Sequence, residues 1–243
     1  MKMRKSKFML SLQLLLAAGI FQLSAAHAGT DVSTNIANGE KIFNEGKGDA
    51  SACMGCHGPQ GMGNDSMGAP RLANLGIYYI EKQLNDMAND KRIPGGMGAV
   101  MPGFAKALTE KDRHDVAVYV NSLAYQVENS DLKAIAEGGE TVGKPDAGKV
   151  IVVQGIKGRI PACQDCHGFN GRADRFPMIN QQRYVYLVNQ LNNWRDGSRA
   201  NDPEVEKVGV MRGIAKKLSD DNIRDIAAYL STAPRISPDG DPK

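Results

Sequence analysis

The chain has 243 residues, 42% of them hydrophobic but only 6% aromatic, with 30 basic against 27 acidic side chains. Four of the basic residues, Lys2, Arg4, Lys5 and Lys7, crowd the first seven positions, and without them the balance is 26 − 27 = −1. That balance excludes a basic nucleic-acid-binding protein, and so few aromatic side chains are thin material for small cores unless a buried prosthetic group adds apolar bulk.

The basic head is followed by an uncharged apolar stretch, Phe8 to Phe21, and by Ala26-His27-Ala28, a small-x-small cleavage pattern. This layout predicts a signal peptide over residues 1–28, cleaved after Ala28, and therefore a periplasmic protein. The stretch is shorter than the roughly 20 residues a membrane helix needs. No second apolar run of that length follows, so no transmembrane segment is expected in the mature chain. Peripheral association with a membrane through a partner stays open.

Beyond the leader the sequence repeats itself. A shift of 110 lays Cys53, Cys56 and His57 on Cys163, Cys166 and His167, Met101 on Met211, Leu108 on Leu218 and Tyr119 on Tyr229. Between these anchors the shift relaxes to 107, matching Pro70 to Pro177, Tyr79 to Tyr186 and Gln83-Leu84 to Gln190-Leu191. Compensating length changes of this kind belong in loops. Two homologous domains are expected, 29–126 and 144–233, joined by a polar linker at 127–143 and followed by a loose tail at 234–243.

Each copy reads as helical. Opening helices are expected near Asn38 to Phe43 and near Ala147 to Val152, and middle helices over 76–89 and 181–195. The closing helices are capped by Thr109 and Ser219, with Glu110 and Asp112, then Asp220 and Asp221, in their first turns. In the last of these Ile223, Ile226, Ala227 and Leu230 recur at helical spacing. One helical turn is expected in the linker near Leu132 to Ala136. No segment alternates as a strand would, so the chain is all-α.

The four cysteines are Cys53, Cys56, Cys163 and Cys166, each pair followed at once by a histidine, as Cys53-Met54-Gly55-Cys56-His57 and Cys163-Gln164-Asp165-Cys166-His167. C-x-x-C-H is the attachment sequence for c-type haem. Two thiols at this spacing reach the two vinyl groups of one porphyrin, and the adjacent histidine is then held under the iron. Disulfides would leave both histidines unexplained, zinc needs more Cys or His per copy, and a thioredoxin-like redox pair needs a parallel sheet. Two covalently bound haem c groups are therefore expected, with His57 and His167 as proximal ligands. Carbonyls flanking Pro70 and Pro177 are expected to accept the Nδ1 protons of these imidazoles.

The opposite ligands follow from elimination and register. Of the four histidines, His27 leaves with the leader and His114 sits in a charged stretch with Arg224 as its counterpart. Beyond His167 only Met178 and Met211 remain, and Met178 is too close to Pro177 to cross to the other haem face. In the first copy Met62, Met67, Met87, Met97 and Met101 compete, but His57 to Met101 spans 44 positions and so does His167 to Met211. Met101 and Met211 are the expected distal iron ligands. A thioether favours ferrous iron and raises the potential, and a six-coordinate iron has no position left for substrate.

In Pro161-Ala162-Cys163-Gln164-Asp165-Cys166-His167-Gly168, in 190–197 (QLNNWRDG), in 211–219 (MRGIAKKLS) and in 225–230 (DIAAYL), the sequence resembles the cytochrome c4 family. The resemblance covers nearly all of residues 36–232. It implies two tandem class I cytochrome c domains packed about a pseudo-twofold axis, with the haem propionates approaching each other at the interface. It implies electron delivery from a quinol-oxidising donor complex or a dehydrogenase to a terminal oxidase or reductase. Against the pattern, the linker and tail are long, Met101 precedes Pro102 where Met211 precedes Arg212, and Arg71 is replaced by Met178 in the second copy.

Charge is unevenly shared: residues 29–143 carry 10 basic and 15 acidic residues, net −5, and residues 144–243 carry 16 and 12, net +4. Two ends of opposite sign suit two different redox partners. The leading expectation is an electron carrier without enzymatic activity of its own. The alternative is the haem c electron-accepting subunit of a periplasmic dehydrogenase. A dihaem enzyme would need an open distal site, which the matched methionines oppose.

Overall fold

The computed structural model describes residues 25–124, 126–168, 176–205 and 208–234. Most of the expected leader and nearly all of the expected tail lie outside these residues.

In the first half, α1 (Ala25–Glu45) crosses α5 (Glu110–Ser122), with α3 (Ile77–Ala88) packed against α5 and α4 (Met101–Ala107) against α3. The crossing is close because Gly39 has no side chain: a Cβ there would lie 2.1 Å from the Asp115 carbonyl oxygen. Around it Ile42, Phe43, Leu75, Ile80, Val116 and Val120 form the core, and the rings of Phe43 and Tyr119 meet at 5.4 Å. The second half repeats the arrangement. Here α7 (Pro145–Gln154) crosses α11 (Asp220–Leu230), and α9 (Tyr184–Asp196) packs on α11 and on α10 (Val210–Ala215). Gly148 plays the part of Gly39, with a Cβ position 1.9 Å from the Asp225 carbonyl oxygen. The apolar stripe Ile223, Ile226, Ala227 and Leu230 is buried in this core, as its spacing requires.

Caps stop and start these helices where the sequence places them. Thr109 and Asp112 form a reciprocal capping box at the start of α5, and Ser219 and Asn222 form another at the start of α11. Helix α3 fills the interval between Gly76 and Asn89. Helix α9 begins later than expected, at Tyr184 rather than Gln181. Gln181 adopts φ +55° and donates its N–H to the Leu230 carbonyl at 2.6 Å, which a helical residue could not do. Its counterpart Asn74 has φ +59° and donates to the Val120 carbonyl at 3.3 Å. Among the described residues the only paired strands are β1 (Glu204–Val205) and β2 (Val208–Gly209), two residues each and antiparallel, so the class is all-α.

The connecting segment is not a free tether. It forms α6 (Leu132–Glu137), capped by the Asp131 carboxylate, and lays Leu132, Ile135 and Val142 on the second core. The Ser130 N–H donates to the Ser231 carbonyl at 3.2 Å, and the Tyr184 hydroxyl donates to the Thr141 carbonyl at 3.0 Å. The two halves also pack on each other. The Arg183 Nε donates to the Met62 carbonyl at 2.7 Å, and the Val185 N–H donates to the Asp65 carboxylate at 3.1 Å. Gln182 accepts from the Arg71 N–H at 2.7 Å and donates to the Arg71 carbonyl at 3.1 Å.

Candidate functional site

Each Cys-x-x-Cys-His motif folds as a single helical turn, α2 (Met54–His57) and α8 (Gln164–His167). The His57 N–H donates to the Cys53 carbonyl at 3.0 Å, and the His167 N–H to the Cys163 carbonyl at the same distance. This winding puts the two cysteines three residues apart on one side of the turn, with the histidine one residue on. None of the four cysteines is in a disulfide. Burial pushes Cys53 and Cys163 up to about 11, so neither is a thiolate at neutral pH. Reactive thiol chemistry needs the opposite shift, whereas thioether attachment consumes the thiol altogether.

Both histidines are buried, His57 at 6% exposure and His167 at 9%. The Nδ1 of His57 lies 2.9 Å from the Pro70 carbonyl oxygen, and the Nδ1 of His167 lies 2.8 Å from that of Pro177. These are the carbonyls expected from the sequence. Each can accept the Nδ1 proton, which leaves Nε2 unprotonated and able to bind a metal. Burial holds both imidazoles below their ordinary pKa, with the proline carbonyl only partly offsetting it. Neutral imidazole is the form a metal requires.

In the second half, Cys163, Cys166, His167 and Met211 line one cavity of about 380 Å³. Its other walls are mostly apolar, with Ile179, Leu187, Leu191, Ile214 and Leu230 among them. A large flat apolar group attached through Cys163 and Cys166 fits this space, with His167 on one side. Met178 lines the cavity as well, from the residue after Pro177. Met211 and Met101 hold equivalent places, in the first turns of α10 and α4, and both are half-buried. Of the other methionines of the first half, Met87 is buried in α3, Met62 is buried beside Arg71, and Met97 is 64% exposed. His114 is on the surface, with Nδ1 3.0 Å from the Glu81 carboxylate.

The second cavity also draws on residues the sequence reading did not assign to a site. Tyr79, Lys82 and Gln83 of α3, in the first half, line it, as do Arg199 and Asn201 after α9. The signal was present in the repeat, since Tyr79, Gln83 and Arg92 recur at a shift of 107 as Tyr186, Gln190 and Arg199. Polar residues that recur in both copies and are buried, as Gln83, Arg92 and Arg199 are, point to a shared buried role rather than to solvation.

A model of the cytochrome c family matches residues 36–124 and again residues 146–234. Cytochrome c4 of Stutzerimonas stutzeri is 40% identical over 228 residues, covering 89% of this chain and 95% of that protein. The thiosulfate dehydrogenase electron acceptor of Thiomonas intermedia is 34% identical over 194 residues, covering 78% and 82%. Among solved structures, a thiosulfate dehydrogenase (TsdBA) of Marichromatium purpuratum superposes with a TM-score of 0.72 at 30% identity. That match covers 84% of this chain but only 41% of the other. Reduced cytochrome c4 from Pseudomonas stutzeri superposes with a TM-score of 0.61 at 30% identity, covering 80% and 96%. Two matched domains, two Cys-x-x-Cys-His turns and this set of relatives place the chain in the cytochrome c family, as a dihaem protein of the cytochrome c4 type with haem c bound covalently at Cys53 and Cys56 and at Cys163 and Cys166.

Proposed function

We propose that this dihaem cytochrome is a periplasmic carrier whose two irons are each closed by histidine and methionine, His57 with Met101 and His167 with Met211. The observation that carries the reading is the second cavity, where Met211 shares the walls with Cys163, Cys166 and His167. The equal His-to-Met spacing of 44 residues extends it to the first domain. Haem c supplies a one-electron ferric/ferrous couple. The protein supplies the rest: Pro70 and Pro177 hold the imidazoles in one tautomer, the apolar walls keep water out, and the thioethers of Met101 and Met211 favour the reduced state.

A closed iron defines the test. The reduced holoprotein is titrated with carbon monoxide while its optical spectrum is recorded. An unchanged spectrum is expected. A change amounting to one haem would show an open distal position and move attention to catalysis in that domain.

A second reading is supported by the relatives. Two thiosulfate dehydrogenase electron acceptors, from Thiomonas intermedia and Stutzerimonas stutzeri, are each 34% identical to this chain. Service as the electron-accepting subunit of a dehydrogenase uses the same haem sites and differs only in a lasting partner. Purification from the native source decides between them: a free monomer supports the carrier, and a constitutive dehydrogenase partner supports the subunit.

A further inference from the structure

Met101 and Met211 stand in equivalent first turns, but the segments that lead to them are built differently. In the second domain the chain runs through Asp202 and Pro203 into the hairpin of β1 and β2, where Glu204 faces Gly209 and Val205 faces Val208. The hairpin brings the chain back on itself, and the Val210 N–H donates to the Pro203 carbonyl at 2.9 Å. Helix α10 then begins, with Met211 in its first turn. Asp202 and Met211 therefore line one haem cavity, together with Pro203 and Val210.

Asp202 closes this loop. One of its carboxylate oxygens accepts from the Arg212 backbone N–H at 3.1 Å, and the other accepts from the Arg212 Nε at 2.9 Å. The Asp202 side chain is only 1% exposed. The start of a helix leaves its first N–H groups without partners, and the residue just before it ordinarily supplies a side-chain oxygen. Here that residue is Gly209, which has no side chain. A larger residue would not fit, since a Cβ on Gly209 would lie 2.4 and 2.5 Å from the Asp202 carboxylate oxygens and 2.3 Å from the Arg212 Nε. Glycine makes the room, and Asp202 supplies the oxygen from the far side of the hairpin. A carboxylate buried this deeply has to be hydrogen-bonded and paired with a positive charge, and Arg212 provides both.

The first domain has neither half of this device. The position equivalent to Arg212 is Pro102, which is buried in the first turn of α4. Proline has no N–H to donate, and its ring fixes φ near the helical value. The position equivalent to Asp202 is Gly95 at a shift of 107 and Arg92 at a shift of 110, neither of them an acid. We infer that Asp202 is a positioning residue for the second haem: by holding Arg212 at two points, its carboxylate keeps the first turn of α10 folded and Met211 in the cavity wall, whereas Pro102 serves Met101. The inference rests on Met211 as the distal ligand of the second iron. The two irons then depend on different residues for their closure, and one can be opened without the other.

The test is a carbon monoxide titration of the reduced holoprotein, followed by its optical spectrum, in wild type, D202A, D202N, M211A and V152A. A charge-assisted hydrogen bond weighs about tenfold to a hundredfold in an equilibrium. The apparent affinity of a ligand scales with the population able to bind it. D202A should therefore let one haem of the two react with carbon monoxide, at a concentration at least about tenfold below any that affects wild type, and leave the other haem closed. V152A removes a buried side chain from the second core at α7, so it lowers stability without touching the hairpin or α10, and it should stay closed. If M211A opens one haem and D202A opens none, the ligation by Met211 stands and the inference is wrong. If M211A opens none, the ligation fails and the inference fails with it. A response in V152A equal to that in D202A would assign the effect to general stability and overturn the positioning role. Should D202A not take up its second haem, D202N, which keeps the side-chain shape but only one acceptor oxygen, decides alone. Reaction of one haem with carbon monoxide then supports the inference, and two closed haems refute it.

Discussion

Met211 stands in the same cavity wall as the Cys163, Cys166 and His167 side chains, and the proposed closure of the second iron rests on it. M211A should keep both thioethers and the His167 imidazole while opening the distal position. Carbon monoxide should then alter the spectrum of one haem, and its midpoint should fall by on the order of 0.1 V, within the roughly 0.8 V over which axial ligation sets haem potentials. M178A, in the same cavity, should leave carbon monoxide insensitivity intact. The cysteines and histidines were legible in the sequence because haem attachment is a local demand, met inside one helical turn. The methionines are proposed as ligands only through the register of the repeat, which is not a local property. Tyr79, Lys82 and Gln83 escaped that reading because they line a cavity belonging to the other copy.

Helices in this fold are fixed at their ends and crossings, and both can be tested. Asp112 closes the capping box of α5 and is buried at 3% exposure. Burial alone would raise its pKa, but the Lys47 ammonium at 2.7 Å, Thr109 and Asn38 hold the carboxyl well below the usual carboxylate range. A depressed pKa contributes stability that is present above the unfolded value of about 3.9 and is lost as pH falls below it. D112N should therefore flatten the acid side of the stability curve, measured by denaturant unfolding between pH 7 and pH 3. An unchanged acid slope would remove Asp112 from the account. At the crossing of α7 and α11, G148A puts a methyl group 1.9 Å from the Asp225 carbonyl oxygen. Overpacking of this kind costs about 1–3 kcal/mol, and here backbone must move, so the upper end is expected in a thermal unfolding measurement. The caps were readable from Thr109 and Ser219. The late start of α9 was not, because Gln181 is turned out of helical geometry by a hydrogen bond to Leu230, 49 residues away in sequence.

Across the two domains, residues 29–143 carry net −5 and residues 144–243 net +4. If each end steers a different partner, the second-order rate of electron transfer with a native partner should fall as salt rises. Between about 0.01 and 0.15 M the screening length drops from about 30 to about 8 Å, enough for a change of roughly tenfold in a steered rate. Stopped-flow rates that are flat across that range would leave the asymmetry without a docking role. The domains themselves are held together by reciprocal contacts between equivalent residues, which is the pattern an isologous interface produces.

The sequence by itself determined the class, the repeat, the haem attachment and the helix caps. Each of these depends on residues close together in the chain, or on one register that the second copy checks against the first. Tertiary structure decided the rest. The segment at 127–143 reads as a polar linker, yet Leu132, Ile135 and Val142 cover the second core. Arg92 and Arg199 belong to no motif of the sequence, yet packing one domain on the other buries both and turns them toward shared acceptors. Burial is a property of surfaces that meet, and composition and spacing along one copy do not reveal which surface the other copy will cover.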